Sequence, residues 1–315
     1  MASAVDGPVG KRGSLAHALR RVLPGVGVVL AAGCAPGADG AGAGESAAAA
    51  SASALPNPSA VQRVAFRVPA ESEVRDTVVL ASVRRGRALA TFTRDSLPRH
   101  VGNGLVCTNC HQQGGTLENG MAWVGVYARF PQYRSRSGET IVIEDRINDC
   151  FKRSLNGTPL VPESRDMRDI VSYMAFLSSG YPVGAETEGQ GLPKLEPLQG
   201  DSLRGASIYL MRCARCHAVG GEGTQLGPPV WGPQSFNIGA GMARVRTAAT
   251  FIKHWMPQDS AGVLTAQEAF DVATYVDAHP RPDYKGKEND WPHGDPPPDA
   301  AYETDAARKK RTATR

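Results

Sequence analysis

The chain has 315 residues, 35 of them Lys or Arg and 31 Asp or Glu, for a net charge of +4. That excess is too small and too scattered for a nucleic-acid partner, and the one basic run, Arg308-Lys309-Lys310-Arg311, reads as a solvated, disordered end. With only 6 Cys and 7 His, the places where these two residue types cluster carry most of the information.

The chain opens on a leader. Lys11, Arg12, Arg20 and Arg21 precede a short apolar run over residues 22–33. At about a dozen residues that run is too short to span a bilayer, which takes roughly 20, and it reads as an export signal, placing the mature chain in the periplasm. Leu30-Ala31-Ala32-Gly33-Cys34 resembles a lipobox with its Leu one place early. Cys34 would then be the lipidated N-terminus and a membrane tether; the alternative is an ordinary signal-peptidase cut near Ala32 or Gly33. Residues 35–60 are Ala, Gly and Ser with almost no large apolar residue. Such a stretch cannot offset its ordering entropy and is expected to be a flexible tether.

Roughly 250 residues remain, enough for two domains. A helix is expected from Asp76, its N-cap, to Phe92. It leads into Cys107-Thr108-Asn109-Cys110-His111, and the same pattern recurs at Cys213-Ala214-Arg215-Cys216-His217. CxxCH is the attachment site of a c-type haem: two thiols form thioethers with the haem vinyls, and the adjacent imidazole becomes an iron ligand. A zinc reading would need two further Cys or His close by, which neither pentapeptide has. Two covalently bound haem c groups are therefore expected, on Cys107, Cys110 and His111 and on Cys213, Cys216 and His217.

Between the motifs, Ile143, Ile147, Cys150, Phe151 and Leu155 fall on one face of a helix ended by Asn156-Gly157. That face turns inward and carries Cys150 towards the haem. Cys150 is the best candidate for the sixth iron ligand of the first domain; the alternative is a buried, inert cysteine. Met167 and Met174 sit on the core face of a closing helix over residues 164–177 and read as packing, and Met121 is a further possible ligand. Arg146, one turn before Cys150, is its neighbour on the helix surface, and Arg129, Arg134 and Arg136 crowd the preceding loop. Some of these read as solvated surface charges, while arginines clustered near a candidate sulfur suit a small oxyanion.

Residues 182–200, rich in Gly, Pro and Glu, read as an interdomain linker. Asp201 then caps a helix that carries Gly205 and Tyr209 into Cys213, and Thr265-Ala266-Gln267-Glu268 is a capping box opening a closing helix that stops before Pro280. Met256, in Trp255-Met256-Pro257, is the expected sixth ligand of the second iron, with Lys253, His254 and Met242 as rivals; His/Met ligation implies a high potential. Its placement, and that of Pro228 as carbonyl acceptor for the His217 N–H, resembles the class I cytochrome c pattern. The expected fold is all-α: two class I cytochrome c-like haem domains, residues 61–181 and 201–280, joined by the linker. Residues 281–315 then form a wrapping coil and basic tail.

Several of these runs together resemble the dihaem thiosulfate dehydrogenases. In the first half they are Gly102-Asn103-Gly104-Leu105-Val106 into CTNCH, Arg129-Phe130-Pro131 with Tyr133, Arg146-Ile147-Asn148-Asp149-Cys150-Phe151, and Arg153-Ser154 with Asn156-Gly157. In the second they are Trp231-Gly232, Ser235-Phe236-Asn237, Gly239-Ala240-Gly241-Met242, Met256-Pro257 and Arg281-Pro282. The resemblance implies joining of two thiosulfates into tetrathionate, with His/Cys ligation at the active-site haem and electrons passed through the second haem to a soluble cytochrome-type acceptor. It maps the family's ligand cysteine onto Cys150 and its active-site arginines onto Arg136 and Arg146. Some members carry a Lys just before the second-haem Met, where this chain has Trp255. Members also differ in whether oxidation or tetrathionate reduction dominates. Two other readings compete: a non-enzymatic electron-transfer cytochrome, and a haem–thiolate sulfur-transfer subunit resembling those of the Sox pathway.

Overall fold

The computed structural model describes residues 61–313. The export leader, Cys34 and the tether expected over residues 35–60 lie outside the described residues. Among the described residues no helix is long and apolar enough to cross a membrane.

Helix α1 (Thr77–Thr91) starts where Asp76 accepts hydrogen bonds from the Val78 and Val79 N–H groups, so that its side chain satisfies two of the orphan donors of the first turn. A short antiparallel hairpin follows, β2 (Gln132–Arg134) with β3 (Glu139–Ile141), and then α2 (Ile143–Arg153), which bears Cys150. The helix α3 (Arg165–Phe176) is capped by Ser164. In the second half α4 (Ser202–Arg212) is capped by Asp201, α5 (Val245–Trp255) follows, and α6 (Ala266–Asp277) opens with the Thr265/Glu268 capping box. The predominance of helix and the near absence of sheet make this an all-α fold.

The two halves repeat one helix crossing. A Cβ on Gly86 in α1 would lie 1.9 Å from the Asp169 carbonyl oxygen in α3, and one on Gly205 in α4 would lie 2.1 Å from that of Asp271 in α6. Four residues on, Tyr173 and Tyr275 flank the same glycines. The residue before each glycine is an arginine, Arg85 or Arg204, which ion-pairs with Asp169 or Asp271. Only glycine permits backbones this close, and the arginine neutralises a carboxylate whose side chain is 8 % or 2 % exposed. Removing either arginine would leave a largely buried carboxylate without its ionic partner. The repeat is thus Arg-Gly on the opening helix against Asp-x-x-x-Tyr on the closing one.

Besides clusters of their own, the halves share one core. Phe236, Ala240 and Ala243 of the second half join Leu105, Ile147, Phe151 and Leu155 of the first in one buried cluster. Residues 182–200 are also more than a linker: β4 (Glu186–Thr187) pairs in parallel with β1 (Arg63–Val64), and Gln190 is buried against the first half. The segment after Pro280 returns to the first half, burying Asp290 and Trp291. Arg153 reaches Asp290 with both terminal nitrogens, at 2.7 and 2.8 Å, and stacks on Tyr284. The basic tail is not the coil expected of it; it forms α7 (Asp305–Ala313), braced by Arg308 and Arg311 on Glu303.

Gly86→Ala is expected to cost roughly 3 kcal/mol or more, because the added methyl meets backbone that cannot yield. The drop in denaturation midpoint followed by circular dichroism checks this, and an unaltered midpoint would refute the close crossing.

Candidate functional site

Each CxxCH borders its own cavity. The first, of about 370 Å³, is lined by Cys107, Cys110 and His111 on one side, and by Arg146, Ile147, Cys150 and Phe151 of α2. The second, of about 530 Å³, is lined by Cys213, Cys216, His217 and Met256. Both volumes lie in the range of cofactor pockets, roughly 300–1,000 Å³. Leu105 and Cys110 line both cavities, so one layer of side chains separates them.

The imidazoles are prepared alike. His111 Nδ1 lies 2.6 Å from the Met121 carbonyl oxygen, and His217 Nδ1 lies 2.7 Å from that of Pro228. A carbonyl only accepts, which assigns the proton to Nδ1 and leaves Nε2 as the lone-pair nitrogen for a metal. Burial pushes His111 down to about 4 and lowers His217, so both rings are neutral donors at physiological pH. Pro228 thus has the role its place in the sequence suggested. Met121, a candidate ligand through its sulfur, also lines this cavity, and its backbone carbonyl is the His111 acceptor. Gly115, at φ +81°, leaves room for Trp123, whose indole packs on the His111 ring at 4.6 Å.

In the first cavity burial pushes the free thiols of Cys107 and Cys110 up to about 12, away from the reactive thiolate form. Cys150 is different. Arg146, one helical turn away, donates from Nη1 to its Sγ at 2.9 Å, and the sulfur raises the Arg146 pKa more than any other group does. Arg134 lines the same cavity and is lowered, first by burial and then by the charge of Arg146. A guanidinium held down in this way is relieved when an anion arrives. Arg129 completes the basic lining. Met174 also borders the cavity, from the core face of α3, while Met167 is fully buried in the core.

Arg136 is not brought to this cavity. The strand alternation of β2 turns Gln132 and Arg134 to the lining, and the turn that follows carries Arg136 away. Its guanidinium lies 4.6 Å from the centre of the Trp291 ring, donates to the Gly239 carbonyl and sits 3.9 Å from Asp290. The buried acid and the aromatic face outcompete the cavity for it.

In the second cavity Met256 and Met242 both line the wall; Lys253 and His254 do not. The Lys253 ammonium is occupied by the Gly262 carbonyl at 3.1 Å. Trp255 turns towards the first half and donates from Nε1 to the Asn119 carbonyl at 2.9 Å. Asp277 also borders this cavity. Its Oδ1 accepts from Arg281 at 3.1 Å, while its Oδ2 is buried without a partner. Burial outweighs the arginine and pushes Asp277 up to about 7.

Two family models match the chain: the SoxA/TsdA cytochrome c domain over residues 99–183, and cytochrome c oxidase, cbb3-type, subunit III over residues 200–276. The thiosulfate dehydrogenase of Allochromatium vinosum is 46% identical over 233 residues, covering 70% of this chain and 85% of its own. That of Psychrobacter arcticus is 41% identical over 248 residues, 76% of each. The solved structure of thiosulfate dehydrogenase TsdBA from Marichromatium purpuratum superposes with a TM-score of 0.66 at 35% identity over 70% of this chain. The chain spans half the length of that one, 50%. Fold, cavities and donor sets define a dihaem c-type cytochrome with two covalently bound haem c groups. Within that class the chain belongs to the thiosulfate dehydrogenase family.

The upward shift of Asp277 gives a pH prediction. The folded state keeps this proton where the unfolded chain, near 3.8, has released it, so its contribution to stability is full below that value and lost as pH rises through about 7. Asp277→Asn removes the slope. Melting temperatures at about pH 5 and pH 8 should fall more for the wild type than for the variant; equal falls would contradict the assignment.

Proposed function

We propose that this chain joins two thiosulfates into tetrathionate on Cys150 and delivers the two electrons to a cytochrome-type acceptor. The observation that carries this reading is the Cys150 sulfur, 2.9 Å from the Arg146 guanidinium in the cavity of the first CxxCH. A sulfur so placed, held by a guanidinium in a cavity, serves a reaction that makes and breaks S–S bonds.

Thiosulfate, a dianion, enters against Arg146 and Arg134. An S–S bond forms between Cys150 Sγ and the outer sulfane sulfur, leaving a Cys150 thiosulfonate with the release of two electrons. The bound haems supply the one-electron acceptors for this oxidation. The sulfane sulfur of a second thiosulfate then attacks that of the adduct. The bond to Cys150 breaks, tetrathionate leaves, and the thiolate is restored without further change of oxidation state. At each encounter a dianion meets a single negative charge, first the thiolate and then the adduct. At about 4 Å the two repel by roughly 2 kcal/mol even at the dielectric constant of water, twice the value for unit charges. The guanidiniums offset this repulsion at both encounters, whichever direction the reaction runs. Arg136 acts at one remove, through its contacts with Asp290, Trp291 and Gly239.

Export to the periplasm, lipid attachment at Cys34 and a soluble cytochrome as acceptor complete the proposal. Their support is the basic and apolar leader, the lipobox-like run and the tether-like composition of residues 35–60.

Cys150→Ser is expected to lower thiosulfate turnover by at least about a thousandfold while both haems stay attached. Acceptor reduction and tetrathionate measured by ion chromatography, beside the haem absorbance, check this. Turnover retained in the variant overturns the mechanism.

A further inference from the structure

The segment that reads in the sequence as a linker builds one wall of the first cavity, where Gln190, Gly191 and Leu192 line it. It is fastened along the first half. The Glu186 and Glu188 N–H groups donate to the Gln62 and Val64 carbonyls, each at 2.9 Å, and the Asn119 N–H donates to the Gly189 carbonyl at 2.6 Å. Gly189, at φ +67°, has no room for a Cβ, which would lie 2.3 Å from Glu118 Cγ. The next residue, Gln190, is only 9 % exposed.

Gln190 Nε2 donates to the Val124 carbonyl at 2.8 Å, and its Oε1 accepts from Arg129 Nη1 at 2.8 Å. One partner can only accept and the other only donate, so the amide has a single permitted orientation. Val124 is fully buried, which makes its carbonyl a fixed anchor. The amide therefore holds Arg129 in one place among the cavity-lining residues. Being neutral, it leaves the charge of that guanidinium uncompensated. Arg129, Arg134 and Arg146 together carry three positive charges, matching one thiolate and one thiosulfate dianion.

Resting on the reading given above, we propose that Gln190 is a positioning residue of the thiosulfate site, fixing Arg129 as its third guanidinium. The experiment compares wild type, Gln190→Ala, Gln190→Glu, Arg129→Gln and the double variant Arg129→Gln/Gln190→Ala, each checked for two attached haems. Gln190→Ala should raise the half-saturating thiosulfate concentration about tenfold, the worth of one hydrogen bond to a charged group, with kcat within about twofold. Gln190→Glu keeps the shape of the wall, neutralises Arg129 and should raise half-saturation at least as far, which keeps the test open if the alanine variant misfolds. If Gln190 acts through Arg129, the double variant should match Arg129→Gln alone. Unchanged half-saturation in Gln190→Ala and Gln190→Glu, or additive effects in the double variant, would overturn this inference alone. A wild type that does not turn over thiosulfate would instead overturn the parent reading, and this inference with it.

Discussion

The C-terminal end of α2 is the constraint on which the rest of the site depends. A helix leaves its last carbonyls without intrahelical partners, and those of α2 follow directly on Cys150. Here the second half of the chain and the loop before the first CxxCH satisfy them. Asn237 donates from its backbone to the Arg153 carbonyl and from its side chain to that of Lys152, and the Asn103 side chain donates to that of Ser154. Asn103 also reaches the Ser235 carbonyl, tying the two halves at the same point. Arg153, on the last turn, is locked by Asp290 from the C-terminal segment. The position of one sulfur is thus set by three parts of the chain that are distant in sequence. A cysteine on a loosely held helix would sample several distances from the opposing His111, and its chemistry would vary with them.

The duplicated Arg-Gly and Asp-x-x-x-Tyr crossings supply the rigid frame. Each fixes an opening and a closing helix around one CxxCH, and the shared core around Phe236 sets the halves at a fixed separation. The cavities then diverge in the side chains they offer. The first is bordered by three arginines and a thiol, a place for a small dianion and sulfur exchange. The second offers two thioethers, Met242 and Met256, and among the described residues no cysteine besides those of the CxxCH motifs, donors that suit electron passage at a high potential. Leu105 and Cys110, shared by both walls, make the route between them short.

Much of this was legible in the sequence because it rests on local rules. The two CxxCH motifs, the caps at Asp76, Asp201 and Thr265, the inward face that carries Cys150 and the Pro228 acceptor all follow from spacing and period. The rest depends on partners far along the chain. Arg136 and Arg134 differ by two residues in a basic stretch, and only the hairpin and the remote Asp290 and Trp291 decide which one faces the cavity. Residues 182–200 have the composition of a linker, and their role emerges only from pairing with Arg63–Val64, a strand of two residues with no signal of its own. The basic tail is short of apolar residues, and its helix is braced by Glu303, which sequence periodicity does not reveal.

The central proposal is that the Cys150 sulfur is the reactant of the first cavity and would also hold the first haem's iron. Low-temperature electron paramagnetic resonance of the oxidised holoprotein tests it most directly. The account predicts one low-spin signal with the narrow g-spread of thiolate ligation, lost in Cys150→Ser, beside a second signal of His/Met type. Two signals of only His/Met or His/His type would contradict it and leave a dihaem electron carrier.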